Sequence, residues 1–124
     1  MNGTLEILKA LSDGNRMRIV AALSRYEELC ACQITELLQV TGATASRHLS
    51  VLQHAGWVTS RKEGRWIHYR LTPPTDSDSL FRWLEQSFAA SEELRADRQT
   101  LDDIVAITRE ELCRRQRGEA CCPK

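Results

Sequence analysis

No apolar run in the 124 residues approaches the roughly 18–20 needed to carry a helix across a bilayer. The first residues, MNGTLEILKALSDGNR, lack both the basic start and the unbroken apolar stretch of a signal peptide. A cytoplasmic protein is expected, in a compartment where thiols stay reduced. Cysteine does not come in an even set: the five present argue against a disulfide framework. There is no CxxC pair, no glycine loop that could cradle a phosphate, and no evident acid–base pair beside a cysteine. A small thiol enzyme such as a reductase is therefore disfavoured. Histidine is scarce and early, with all three at or before His68. Internal repeats are absent as well.

A composition 42% hydrophobic and 27% charged belongs to a globular chain, and the length fits one domain with an appended helical arm. Net charge is zero but unevenly spread. Residues 41–72 hold Arg47, Arg61, Lys62, Arg65 and Arg70 against Glu63 alone, a local balance of +4, whereas residues 73–124 carry −3. A basic middle in a neutral chain points to an anionic partner for that segment.

Leu5, Leu8 and Leu11 recur as one face of a short first helix. Ser12 and Asp13 can cap a second, NRMRIVAALSRY, and a brief third is expected from Cys32 to Leu38. After QVTGAT, where Thr41 is a good cap, a helix over about 43–55 puts Ala45, Leu49 and Leu52 inward. Its outer face is small or polar, with Arg47 among Ala43, Ser46, Ser50 and His54, which suits close approach to another surface. Then WVTSRKEGRWIHYRL switches to a period of two, with a hairpin tip at Lys62-Glu63-Gly64-Arg65. Two helices across a turn followed by a basic hairpin predict a winged helix-turn-helix, mostly α with a small β wing, over residues 1–72.

In that fold the second helix enters the major groove. Thr44, Ser46, Arg47 and His48 are the expected DNA-facing residues there, with His48 equally suited to packing. Arg61, Lys62 and Arg65 on the wing are expected at backbone or minor groove, while Trp57 and Trp66 read as core. Past Pro73 and Pro74, Leu80, Phe81, Leu84 and Phe88 make one helical stripe. A last helix is expected to carry Leu101, Ile104, Val105 and Leu112, with Thr100 and Asp103 as a capping box. Residues 73–117 are thus expected to pack on the body or on a second copy, giving a homodimer on a near-palindromic double-stranded operator, with 118–124 as a mobile tail.

The stretch ELCACQI, residues 28–34, places Cys30 and Cys32 at a helix mouth. Inside a regular helix they would point about 200° apart, but at the mouth both sulfurs can turn to one centre. Unpaired backbone N–H groups there favour thiolate, the soft ligand that selects thiophilic ions. Two small buried hydrophobes remain the plain alternative. Cys113, Cys121 and Cys122 supply further thiols near the C-terminus.

Residues 5–72 resemble the ArsR/SmtB metal-responsive repressors, through LKALSDGNRMRIVAAL, ELCACQI (where arsenic sensors commonly show ELCVCDL), SRHLSVLQHAGWV and RKEGRWIHYRL. The resemblance implies a dimeric repressor, not an enzyme, that releases DNA when an ion binds. Cys30 and Cys32 would match the first two thiols of the family's arsenic site, but Thr35 stands at the third position. Trivalent arsenic or antimony usually takes three sulfurs, so Cys113, Cys121 and Cys122, from either subunit, become candidates for the rest. A cadmium or lead sensor is the alternative ion reading, weakened by the lack of cysteines before Cys30. A zinc site on the helix after the wing lacks histidines. A redox-sensing repressor of the same fold is the other alternative.

Overall fold

The computed structural model describes residues 2–116, without the side chains of Asn2 and Cys113. Helix α1 spans Asn2–Ala10 and α2 spans Gly14–Arg25. Asp13 starts α2: its carboxylate accepts from the N–H groups of Asn15 (2.9 Å) and Arg16 (3.1 Å), donors that a helix start leaves without partners. Ser12 instead closes α1, its hydroxyl donating to the Leu8 carbonyl. The short strand β1, Leu29–Cys30, leads straight into α3, Ala31–Leu38, one residue earlier than the sequence predicts. Gln39 leaves α3 in the left-handed region, at φ 55°. Thr41 caps α4, Gly42–His54, by accepting from Thr44 N–H, and Ala45, Leu49 and Leu52 are buried as their spacing requires.

Strands β2, Val58–Glu63, and β3, Trp66–Leu71, form the wing. Because Glu63 pairs with Trp66, the turn is the two residues Gly64 and Arg65, with Gly64 at φ 62°. Strand β1 pairs with the other edge of β3, so the sheet order is β1-β3-β2. β3 is therefore central, and burial of Trp66, His68 and Tyr69 on it does not follow a simple alternation.

Two expectations need correction. The stripe Leu5–Leu8–Leu11 is not the inner face of α1. Leu5 and Leu8 are each 44% exposed, whereas Ala10 and Leu11 are buried with Ile7 packed beside them. The helix is docked by Trp57, whose indole N–H donates to the Ile7 carbonyl at 3.0 Å. Nor do Thr100 and Asp103 open the last helix. They lie inside α6, Glu92–Val105, which is capped by Ser91 and carries Glu92 and Glu93 in its first turn, where the helix dipole favours acids. The chain then breaks, and Leu112 belongs to a separate helix, α7, Arg109–Gln116.

The stripe on α5, Asp78–Ala90, does bury Leu84 and Phe88. These join Leu101, Ile104 and Leu112 in one cluster with Ile19, Leu23, Ile34 and Leu52, so the helices after Pro74 share the core of the winged unit. Polar ties hold α6 in place. Arg18 forks onto Asp97 (2.7 and 3.1 Å) and also donates to the Leu37 carbonyl, while Arg25 and the Tyr26 hydroxyl both reach Asp102. Among the described residues, no helix is long and apolar enough to cross a membrane.

Candidate functional site

Cys30 is the last residue of β1 and the cap of α3 at once. Its backbone is extended (φ −75°, ψ 151°), its sulfur accepts from Cys32 N–H at 3.3 Å, and Gln33 Oε1 accepts from Cys30 N–H at 2.8 Å. This is a capping box with a thiol in the place usually taken by a hydroxyl. The cap bends the chain so that the sulfurs of Cys30 and Cys32 meet at 2.7 Å, well beyond the ~2.05 Å of a disulfide bond. Both residues are buried, at 1% and 0% exposure. The sequence-based expectation that a helix mouth lets the two sulfurs converge matches this geometry.

Thr35, where the resemblance places a third thiol, is buried and donates its hydroxyl to the Ala31 carbonyl at 2.8 Å. Among the described residues no group of three or more His, Cys, Asp and Glu is gathered as a metal site. Cys121, Cys122 and the side chain of Cys113 lie outside the described residues.

Three connections run outward from the pair. Across the sheet, Cys30 stands opposite His68 of β3. Two residues before Cys30, Glu28 holds Arg61 of the wing in a double hydrogen bond, 2.7 Å on each arm. That bond holds the Glu28 carboxyl below its ordinary range, against a smaller opposing effect of burial, and raises the Arg61 guanidinium. Arg109 of α7 donates to His68 Nε2 at 3.0 Å and lies over the Trp66 ring, while Glu63 stands 3.3 Å from the same histidine nitrogen. Burial, and then the neighbouring Cys30, push the Tyr69 phenol above its usual value. A groove of about 480 Å³ opens here, lined by Glu28, Gln33, His68, Thr108, Arg109 and Glu110 among others.

The DNA-facing candidates divide in two. Ser46 and Arg47 on α4 and Lys62 and Arg65 at the wing are exposed, with Arg65 stacked 5.0 Å over Trp66. Thr44 is half-buried and its hydroxyl accepts from that of Thr41. His48 turns inward: its Nδ1 lies 3.3 Å from Arg16 Nη1 and 3.9 Å from Asp13, so it ties α4 to the start of α2. Arg61 is engaged by Glu28. Sequence reasoning passed over Glu28, Gln33, His68, Arg109 and Gln116. Only Gln33 carried a local signal, its spacing of three from the capping Cys30.

Residues 13–60 match the family model described as bacterial regulatory protein, arsR family. Over 69 residues the chain is 41% identical to the arsenical resistance operon repressor of Escherichia coli (strain K12), covering 56% of this chain and 59% of that relative's length. It is 35% identical over 89 residues to the cadmium resistance transcriptional regulatory protein CadC homolog of Staphylococcus aureus, covering 72% and 70%. Among solved structures, a homodimeric winged helix-turn-helix DNA-binding domain from Mycobacterium bovis superposes with a TM-score of 0.60 at 28% identity, over 69% of this chain and 78% of that one.

Proposed function

This chain belongs to the arsR family of bacterial regulatory proteins, and from that premise we propose a dimeric transcriptional repressor that leaves its operator when Cys30 and Cys32 take up a thiophilic ion. Trivalent arsenic or antimony is favoured over cadmium or lead. The observation that carries this is the 2.7 Å contact of two buried thiols at the mouth of α3. Soft thiolates select soft ions, and the donor set holds no hard oxygen ligand that would favour magnesium or calcium. The arsenical relative adds weight to arsenic, and the CadC homolog keeps cadmium as the rival. The repressor acts in the cytoplasm, where the thiols stay reduced.

On DNA, α4 lies in the major groove with Ser46 and Arg47 at base edges or phosphates and Thr44 near its start, while Lys62 and Arg65 of the wing neutralise phosphates. His48 positions α4 from behind. A second copy covers three of the large apolar groups left exposed among the described residues, Leu5 and Leu8 on α1 and Trp83 on α5. The two reading helices of such a dimer stand about 34–36 Å apart, so the operator is near-palindromic.

The response follows from where Cys30 sits. Its sulfur caps α3 and its backbone pairs with the wing strand. Cys30 and Cys32 would hold the ion, with both sulfurs serving as its soft ligands. Cys30 Sγ then turns away from Cys32 N–H, the first turn of α3 loosens, and β1 shifts against β3. The register between α4 and the wing is lost. By linkage, DNA weakens ion binding by the same factor that the ion weakens DNA binding.

The test is fluorescence anisotropy on labelled DNA from upstream of the gene, with arsenite titrated under a non-thiol reductant. Tight binding that collapses near one equivalent per site is expected. Cys32→Ser keeps its operator affinity and loses the response; a normal response in that variant would overturn the assignment. The same contact favours one second reading, a redox switch. Peroxide would take two electrons and two protons from the pair, leaving a Cys30–Cys32 disulfide and two waters. DNA release by peroxide, with none by arsenite, would select it.

A further inference from the structure

We propose that α7 is a hinged cover over Cys30 and Cys32, and that a dissolved reagent reaches the two sulfurs only after this helix lifts. The cover itself is argued from packing. Its role rests on the sensing function given above: α7 sets how fast a signal arrives at the thiols.

The pair is shut away from solvent, at 1% and 0% exposure, yet a sensing thiol has to be met by something carried in water. Some neighbouring element must therefore move. Of the described elements around the pair, β1 is paired into the sheet and α3 buries six of its eight residues. α7 is held far less firmly. Its sequence, REELCRRQ, is charged or polar apart from Leu112 and Cys113, and Leu112 is fully buried. Eight residues are too few to stay helical once undocked, since isolated helices below about 12–15 residues are marginal in water.

The fastenings of α7 sit at the two thiols. At one end Arg109 donates to His68 Nε2, opposite Cys30 in the sheet, and lies over the Trp66 ring. At the other end Gln116 Nε2 donates to the Cys32 carbonyl at 3.0 Å and to Glu36 Oε1 at 3.2 Å. Residues 109, 112 and 116 stand at i, i+3 and i+7, so one face of the helix carries both anchors with Leu112 between them. The connection before α7 leaves room for the movement. α6 stops at Val105, and Ile107 and Thr108 line the groove that opens beside Glu28, Gln33 and His68. Lifting α7 withdraws one leucine and breaks its polar anchors, while α2 and α4 stay seated. Such a local opening takes less free energy than unfolding the whole chain.

The test is pulsed alkylation of the full chain by iodoacetamide, in which each thiolate displaces iodide. Trypsin then releases Cys30 and Cys32 together on the peptide 26–47, apart from the other cysteines, and mass spectrometry follows its labelling. In the wild type the rate is expected to change little with urea well below the unfolding transition, because lifting one short helix exposes little surface. Arg109→Ala combined with Gln116→Ala is expected to label about tenfold faster, the factor that loss of two ordinary hydrogen bonds gives. Hydrogen exchange of the α2 and α4 amides is expected to stay at the wild-type rate. A double variant that labels at the wild-type rate would overturn the cover. So would a wild-type rate that climbs with the full urea slope of global unfolding, or faster exchange in α2 and α4 alongside the faster labelling. Since no ion takes part, failure of arsenite to release DNA would sink the sensing function and leave these rates as they stand.

Discussion

Arg61 of the wing forks onto Glu28, two residues ahead of Cys30, with both nitrogens 2.7 Å from a carboxylate oxygen. A side chain that looks from the sequence like a phosphate clamp is tied, at the surface, to the protein's own carboxylate. The wing is fastened to the segment that carries the thiols, so a movement of one is felt by the other.

The three basic wing residues should therefore differ in their salt dependence. Each lost phosphate contact lowers the slope of log affinity against log salt by about 0.9. Lys62→Ala and Arg65→Ala are each expected to show a loss of that size, and Arg61→Ala much less. Equal losses for all three, measured by anisotropy at several salt concentrations, would mean that Arg61 leaves Glu28 on binding DNA.

Thr41→Ala removes the cap of α4, whose hydroxyl accepts from Thr44 N–H at 3.2 Å. Loss of such a cap costs about 1 kcal/mol. Denaturant unfolding should show that loss. Operator affinity should fall too, because Ser46 and Arg47 follow within the first turns of the same helix.

Asp97→Ala leaves the Arg18 guanidinium without its forked partner at a half-buried junction of α2 and α6. Hydrogen bonds to charged groups contribute about 1.5–3 kcal/mol, and a loss in that range is expected by urea unfolding. A loss under half a kcal/mol, about the size seen for unremarkable surface changes, would show that α6 is held by its apolar face alone.

Asp13 makes the protein sensitive to acid. Burial pushes its carboxyl up, but the backbone bonds from Arg16 and Asn15 and the charges of His48 and Arg16 outweigh that and hold it below its ordinary value. A depressed folded pKa stabilises above the unfolded value, near 3.9, and that contribution disappears as pH falls through the folded one. Melting temperature should fall below about pH 4 in the wild type. Asp13→Asn, which can still accept from the helix N–H groups, should flatten that part of the fall. An unchanged acid limb in the variant would assign it to other carboxylates.

What could be read without coordinates was whatever repeats or caps locally. Ala45, Leu49 and Leu52 declare the inner face of α4 by spacing, Thr41 its start, and Gly64 the wing turn. The inner face of α1 was misread because a short helix offers two stripes, Leu5–Leu8–Leu11 and Ile7–Ala10–Leu11. Tertiary contacts select the second, among them the core packing of Ile7, Ala10 and Leu11 and the bond from Trp57, fifty residues on. The start of α6 was misplaced because Thr100 and Asp103 satisfy a capping pattern that a helix already begun at Glu92 has no use for.

By itself the sequence determined the winged helix-turn-helix, the basic face and the position of two thiols at a helix mouth, because each follows from interactions within a few residues. The tertiary structure decided what those parts are joined to. The pairing of Cys30 with His68, the grip of Glu28 on Arg61, the inward turn of His48 and the anchoring of α7 at Arg109 and Gln116 all link residues 32 to 84 positions apart. Such contacts depend on where a shared core seats each element, and no local spacing encodes that.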